Sequence, residues 1–172
     1  MGIANGDPRA AFVDQYSESK TEQEYEVDEK TLLVELVHTD RPEETAKDYF
    51  RNHHLADFNL LVFVTGQSMR KKDKEIASIV RQKNINCIFV RSACDRDLRP
   101  ILDDLEEQKA KKQNLKKLGL EKYLPDIEKY SSLKGVECYF VSSCCFYKNC
   151  SATNKRAFGL DEDKLKNTIL GC

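Results

Sequence analysis

The 172-residue chain lacks an excess of charge of either sign: 28 Lys+Arg stand against 29 Asp+Glu, for a net charge of −1. A protein built to coat nucleic acid is normally basic, so no nucleic-acid partner is expected. No apolar run approaches the roughly 20 residues that span a bilayer, so no transmembrane segment is expected either. The N-terminus has neither the basic start nor the apolar stretch of a secretory signal, and the expected compartment is the cytoplasm. Met1-Gly2 opens as a myristoylation signal does, but Gly6 stands where Ser or Thr belongs. The paired C-x2-C of a zinc site is missing too, since the nearest spacing is Cys144-Cys145-x4-Cys150. The seven cysteines are odd in number and do not read as a disulfide framework. Cys87, Cys138 and Cys144 lie in or beside apolar runs, where Cys behaves as a small hydrophobe. No metal site is expected.

What the chain does have is 40% hydrophobic residues, enough for one core. Residues 1–24 are polar and aperiodic and read as a flexible arm; residues 25–172 read as the domain. Within the domain, apolar runs alternate with helical periods. "TLLVELV" (31–37) reads as a buried strand and "FNLLVFV" (58–64) as a central one, followed by "INCIFV" (85–90) and "VECYFVSS" (136–143). Between the first two, "RPEETAKDYFRNHHL" starts with Pro42 and puts Ala46, Tyr49, Phe50 and His53 on one helical face. "MRKKDKEIASIVRQK" does the same with Ile76, Ile79 and Val80. A long helical region with Leu98, Ile101, Leu102 and Leu105 on one side follows, divided at Gly119 and Pro125. "FGLDEDKLKNTIL" reads as an acid-capped helix with Leu165 and Ile169 inward.

This order implies a mostly parallel sheet with helices on both faces. Ligands of such sheets bind beyond the carboxyl ends of the strands. Four loops lie there: 36–42, 65–70, 91–97 and 142–150. A nucleoside-triphosphate enzyme of this architecture needs G-x-x-x-x-G-K-[ST], whose amides and lysine hold the phosphates. The chain has no such stretch. It does have Asp95, placed after a strand where an aspartate can read a guanine base; Asp95 equally fits a turn or cap, with Asp97 competing as the N-cap. Asp40, before Arg41-Pro42, reads as a cap more readily than as a ligand, and His53-His54 as a helix end. Arg70-Lys71-Lys72 reads as a solvated face, with an anion or membrane surface as the alternative.

"NLLVFVTGQSMRKKDKEIASIVRQKNINCIFVRSACDRDL" resembles the middle of an interferon-inducible immunity-related GTPase. That family has an apolar strand, a basic-Asp helix start, and a strand ending in F-V-R-T-K-x-D-x-D-L. Here the last element reads Phe89-Val90-Arg91-Ser92-Ala93-Cys94-Asp95-Arg96-Asp97-Leu98. "LLVELVHTDRPEETAKDYFRNHHLADFNLLVFV", "CYFVSS" and "FGLDEDKLKNTIL" extend the resemblance over about residues 31–170. It implies a P-loop-NTPase-like (Ras-like) three-layer α/β sandwich, incomplete at the phosphate-loop strand. It also implies a guanine-side remnant of Ser92, Asp95, Ser142 and Ser143, and a switch-like remnant at Glu35 and His38.

The departures are chemical. Ala93 stands for the lysine whose stem packs on the base, and Glu35-Leu36-Val37-His38 stands for the Asp-Leu-Pro-Gly switch. The family's long helical domain has no counterpart before Cys172. Phosphate contacts supply most of the anchoring in this class. One Asp–guanine pair, at about 1.5–3 kcal/mol per charged hydrogen bond, gives millimolar binding of GTP or GDP at best. Mg²⁺ is expected only with nucleotide, and no residue is expected to be catalytic. The resemblance therefore implies a pseudo-GTPase acting through contacts with an immunity-related GTPase or with itself, peripheral contact with endomembranes included. The alternative is a GTPase whose phosphate loop comes from a partner or from upstream sequence; a third is a fragment with no function of its own. In Ras-like sheets the missing strand lies between those matching "TLLVELV" and "FNLLVFV". Those strands close up, or "AAFVDQY" fills the space, or a partner does.

Overall fold

The computed structural model describes residues 21–39, 41–66, 68–94, 129–142 and 160–171. It begins with a hairpin. β1 (Gln23–Asp28) and β2 (Thr31–Glu35) pair antiparallel. The Asp28 carboxylate turns the chain by accepting the Lys30 N–H at 2.9 Å, which holds that carboxyl below its usual range. This corrects two expectations. "TLLVELV" is not a buried strand of a parallel sheet, because the strand stops at Glu35 and Leu32 stays 51% exposed. Its partner starts at Gln23, inside the expected arm. "QEYEVD" alternates with period two, Tyr25 and Val27 turning inward; the flanking acids hide that pattern among polar residues.

α1 (Ala46–Asn52) starts four residues later than Pro42 suggested. Thr45 is the N-cap: its hydroxyl oxygen accepts the Asp48 N–H at 3.2 Å and donates to the Asp48 carboxylate at 2.6 Å. That reciprocal cap outcompetes the proline. The expected face is real, with Ala46 and Tyr49 buried, Phe50 packed against the core and the His53 ring 4.3 Å from that of Tyr49.

β3 (Leu61–Thr65), β4 (Cys87–Arg91) and β5 (Cys138–Phe140) form a parallel sheet in the order β3-β4-β5. α2 (Lys71–Gln82) crosses from β3 to β4 and buries Ile76, Ala77 and Val80. α3 (Glu162–Leu170) follows β5 and buries Leu165. α1 and α2 pack with Leu61, Phe89 and Phe140 on one sheet face. α3 packs through Leu165 and Ile169 on the other, against Ile88, Val90, Tyr139 and Val141. Alternation along each strand sends odd and even residues to opposite helix layers, so the architecture is α/β with helices on both faces. Each fully buried aliphatic side chain here stabilises the fold by about 1.5–3 kcal/mol.

β4 is the central strand, buried from Cys87 to Val90. "FNLLVFV" was expected in that role; among the described residues its strand β3 pairs on one side only, with β4. No strand among the described residues pairs with its far side, and β2, expected two places away, is committed to the hairpin. The "AAFVDQY" segment, the helical region after Leu98, and Cys144, Cys145, Cys150 and Cys172 lie outside the described residues.

Candidate functional site

The carboxyl ends of the parallel strands are built from short-range ties. At the end of β3, the Thr65 carbonyl accepts two hydrogen bonds from Ser92, the backbone N–H at 2.8 Å and the hydroxyl at 3.0 Å. Ser92 therefore clamps the ends of β3 and β4 together. The chain then turns through Ala93, a non-glycine residue at φ 56. Cys94 follows, 4% exposed; its N–H donates to the Val141 carbonyl at 3.1 Å and its thiol to the Arg91 carbonyl at 3.3 Å. The loop after β4 starts out pinned across all three strands. Left-handed backbone at a residue with a Cβ is a strain of about 1–3 kcal/mol that the surrounding ties must hold.

Ser142 lies one residue past the carbon end of this clamp and is fully buried. Its N–H donates to Glu162 Oε1 at 2.7 Å. Glu162 Oε2 accepts the Leu160 N–H at 2.6 Å, and Asp161 Oδ2 accepts the Phe140 N–H at 3.1 Å. Asp161 returns its own N–H to the Phe140 carbonyl at 3.0 Å. The two acids expected to cap α3 thus do different work: Asp161 makes no side-chain cap bond, and both carboxylates seal the outer edge of β5. Sequence reading missed this because acids at a helix start look the same whether they face solvent or a strand.

The other strand-end loop is laced to α2. The His38 ring lies against the Arg70 guanidinium. The Thr39 hydroxyl donates to Asp73 at 2.6 Å, and Lys72 Nζ donates to the Arg41 carbonyl at 2.6 Å. Of the basic run, Arg70 and Lys71 are exposed, Lys71 lying 3.8 Å from Glu75 one turn on. The Tyr49 hydroxyl, buried, donates to the Val37 carbonyl at 2.5 Å, which anchors the exit of the hairpin to α1. Burial, with the Glu44 carboxylate nearby, pushes that phenol well above its usual range. At the hairpin's entry, His53 Nδ1 lies 2.7 Å from Glu22 Oε1.

The predicted site residues are thus divided. Ser92 and Ser142 sit at the ends of adjacent strands, each held in a backbone network. Asp95 and Ser143 lie outside the described residues. His38 stands at the start of α2, while Glu35 is an exposed residue of the hairpin with the Tyr25 hydroxyl 3.2 Å away. Among the described residues, no three His, Cys, Asp or Glu side chains are grouped to share a metal ion. Neither family models nor curated proteins yield a match to this chain.

Proposed function

We propose that the chain is a degenerate G domain of the immunity-related GTPase type, a pseudo-GTPase that works through protein contacts in cell-autonomous defence. The observation that carries this reading is the stretch Ser92-Ala93-Cys94-Asp95 after β4 in a chain with no Gly-Lys phosphate loop. Base-side residues are retained while every group that would hold phosphate and Mg²⁺ is missing. The three parallel strands and flanking helices suit that ancestry without being specific to it. The altered switch segment agrees in chemistry: Glu35 is an exposed strand residue, and His38 engages Arg70. On this reading the protein is cytoplasmic, touches endomembranes only peripherally, and binds GTP or GDP at millimolar strength or not at all.

The test is a titration with a fluorescent GTP analogue, with and without Mg²⁺. A folded protein that shows no binding below millimolar nucleotide is the expected result. Micromolar, Mg²⁺-dependent binding would overturn the proposal in favour of a working GTPase.

A further inference from the structure

Among the described residues, the outer edges of β1, β3 and β5 are treated very differently. The outer edge of β5 is sealed by Asp161 and Glu162. β1 carries Glu24, Glu26 and Asp28 and a break in register between Glu26 and Asp28. Charge and irregularity of that kind stop a strand from pairing with strangers. β3 has neither. From Leu60 to Thr65 the sequence is Leu-Leu-Val-Phe-Val-Thr, with no charge, proline or bulge.

The direction of its backbone follows from the ladder. The Leu61 N–H donates to the Asn86 carbonyl at 2.9 Å and the Thr65 carbonyl accepts from Ser92 at 2.8 Å. Residues 61, 63 and 65 therefore face β4, and Val62 and Val64 present their N–H and C=O groups outward. Among the described residues nothing pairs with them. Val64 is also 64% exposed, the most exposed large apolar side chain of the described residues.

We infer that the outer edge of β3 is a self-association site, at which two copies of this chain join their sheets antiparallel about a two-fold axis through Phe63. In that register Val62 of each copy stands opposite Val64 of the other. Both are outward-facing residues, so each pair exchanges two main-chain hydrogen bonds. Val64 lies on the same face as Val90 and Tyr139, and Val62 already packs with the cluster beneath α3. Pairing therefore lays Val64 of one copy against Val62 of the other and runs the two apolar clusters together. A second copy is the occupant because the edge is self-complementary. It is uncharged from Leu60 to Thr65, its two outward-facing residues on either side of Phe63 are both valine, and a net charge of −1 gives two copies little reason to repel. The two-fold closes on itself, so the product is a dimer and not a filament. This takes up the protein-contact half of the proposed function, but its test reads assembly and not nucleotide, so either can fail alone.

The experiment is sedimentation velocity of the full chain over a wide concentration series, with V64K and L32K beside wild type. Both substitutions are at exposed positions, and circular dichroism checks that each variant is folded. Wild type and L32K should form a dimer that dissociates on dilution, and V64K should remain monomeric. Hydrogen exchange should find the Val62 and Val64 amides protected in concentrated wild type and exposed in V64K. A monomeric wild type at every concentration overturns the inference. So does a dimer that survives V64K, or one lost in L32K alone, which would move the contact to the hairpin.

Discussion

Replacing Glu162 by Gln removes one acceptor oxygen and puts an NH₂ in its place, with almost no change in volume. In the fold, Glu162 is 8% exposed and its two oxygens accept from two different backbone donors, Ser142 at 2.7 Å and Leu160 at 2.6 Å. The glutamine can serve only one of them; its NH₂ must face the other N–H. Hydrogen bonds to a charged group contribute about 1.5–3 kcal/mol each, so E162Q should lose about that much. For a chain of this size that is a fall in melting temperature of roughly 3–12 °C. A rival account treats Glu162 simply as an acid favoured by the dipole of α3, worth about 0.3–1 kcal/mol and sensitive to salt. Asp163, exposed in the same turn, measures that rival term through D163N. Thermal unfolding of the two variants at low and high salt separates them. E162Q should be the larger loss and nearly independent of salt, and the Ser142 amide should exchange faster. An E162Q loss equal to that of D163N, vanishing in salt, would refute the edge-sealing argument.

The remaining predictions concern the clamp, the hairpin anchor and the core thiol. Ala93 at φ 56 should be relieved by A93G: about 1–3 kcal/mol of strain is removed, against about 0.4–1 kcal/mol of added unfolded-state entropy, for a net gain on the order of 1 kcal/mol in urea unfolding; a clear loss would contradict a strained turn at this position. Y49F leaves the Val37 carbonyl without its buried donor at 2.5 Å and should cost about 1–3 kcal/mol by the same measurement. Burial pushes the Cys87 thiol from 9.0 to about 11 in the fold. A raised folded pKa means the neutral thiol's contribution is intact below the unfolded value and lost as pH climbs through the folded one. The stability gap between wild type and C87A should therefore narrow between pH 9.0 and about 11; a constant gap would contradict a buried thiol at this position.

Much of the fold was legible in residue order. α2 and α3 follow from their 3.6-residue apolar periods, because burying one stripe is the only way such a segment gains stability. β4 and β5 follow from short apolar runs bounded by polar loops. β1 was hidden because its inward residues, Tyr25 and Val27, are only half-buried and sit among acids. α1 was placed too early because Pro42 is an acceptable first residue, while Thr45 with Asp48 makes a better cap. Of the candidate site, the strand-end position of Ser92 and Ser142 was legible. Their partners were not, since the Thr65 carbonyl is 27 residues from Ser92 and the Glu162 carboxylate is 20 from Ser142.

By itself, then, the sequence determined an α/β alternation of apolar runs and helical periods, a near balance of charge, and the lack of a Gly-Lys phosphate-loop motif. Those properties depend on composition and local period, which the chain carries residue by residue. Only the tertiary structure decided which strands pair. "TLLVE" and "LVFVT" are both short, largely apolar runs, yet one joins the antiparallel hairpin and the other pairs with β4 in the parallel sheet. Pairing is a choice among competing partners, settled by what the rest of the fold leaves uncovered. That choice seals the β5 edge with two buried acids and leaves Val62 and Val64 facing outward.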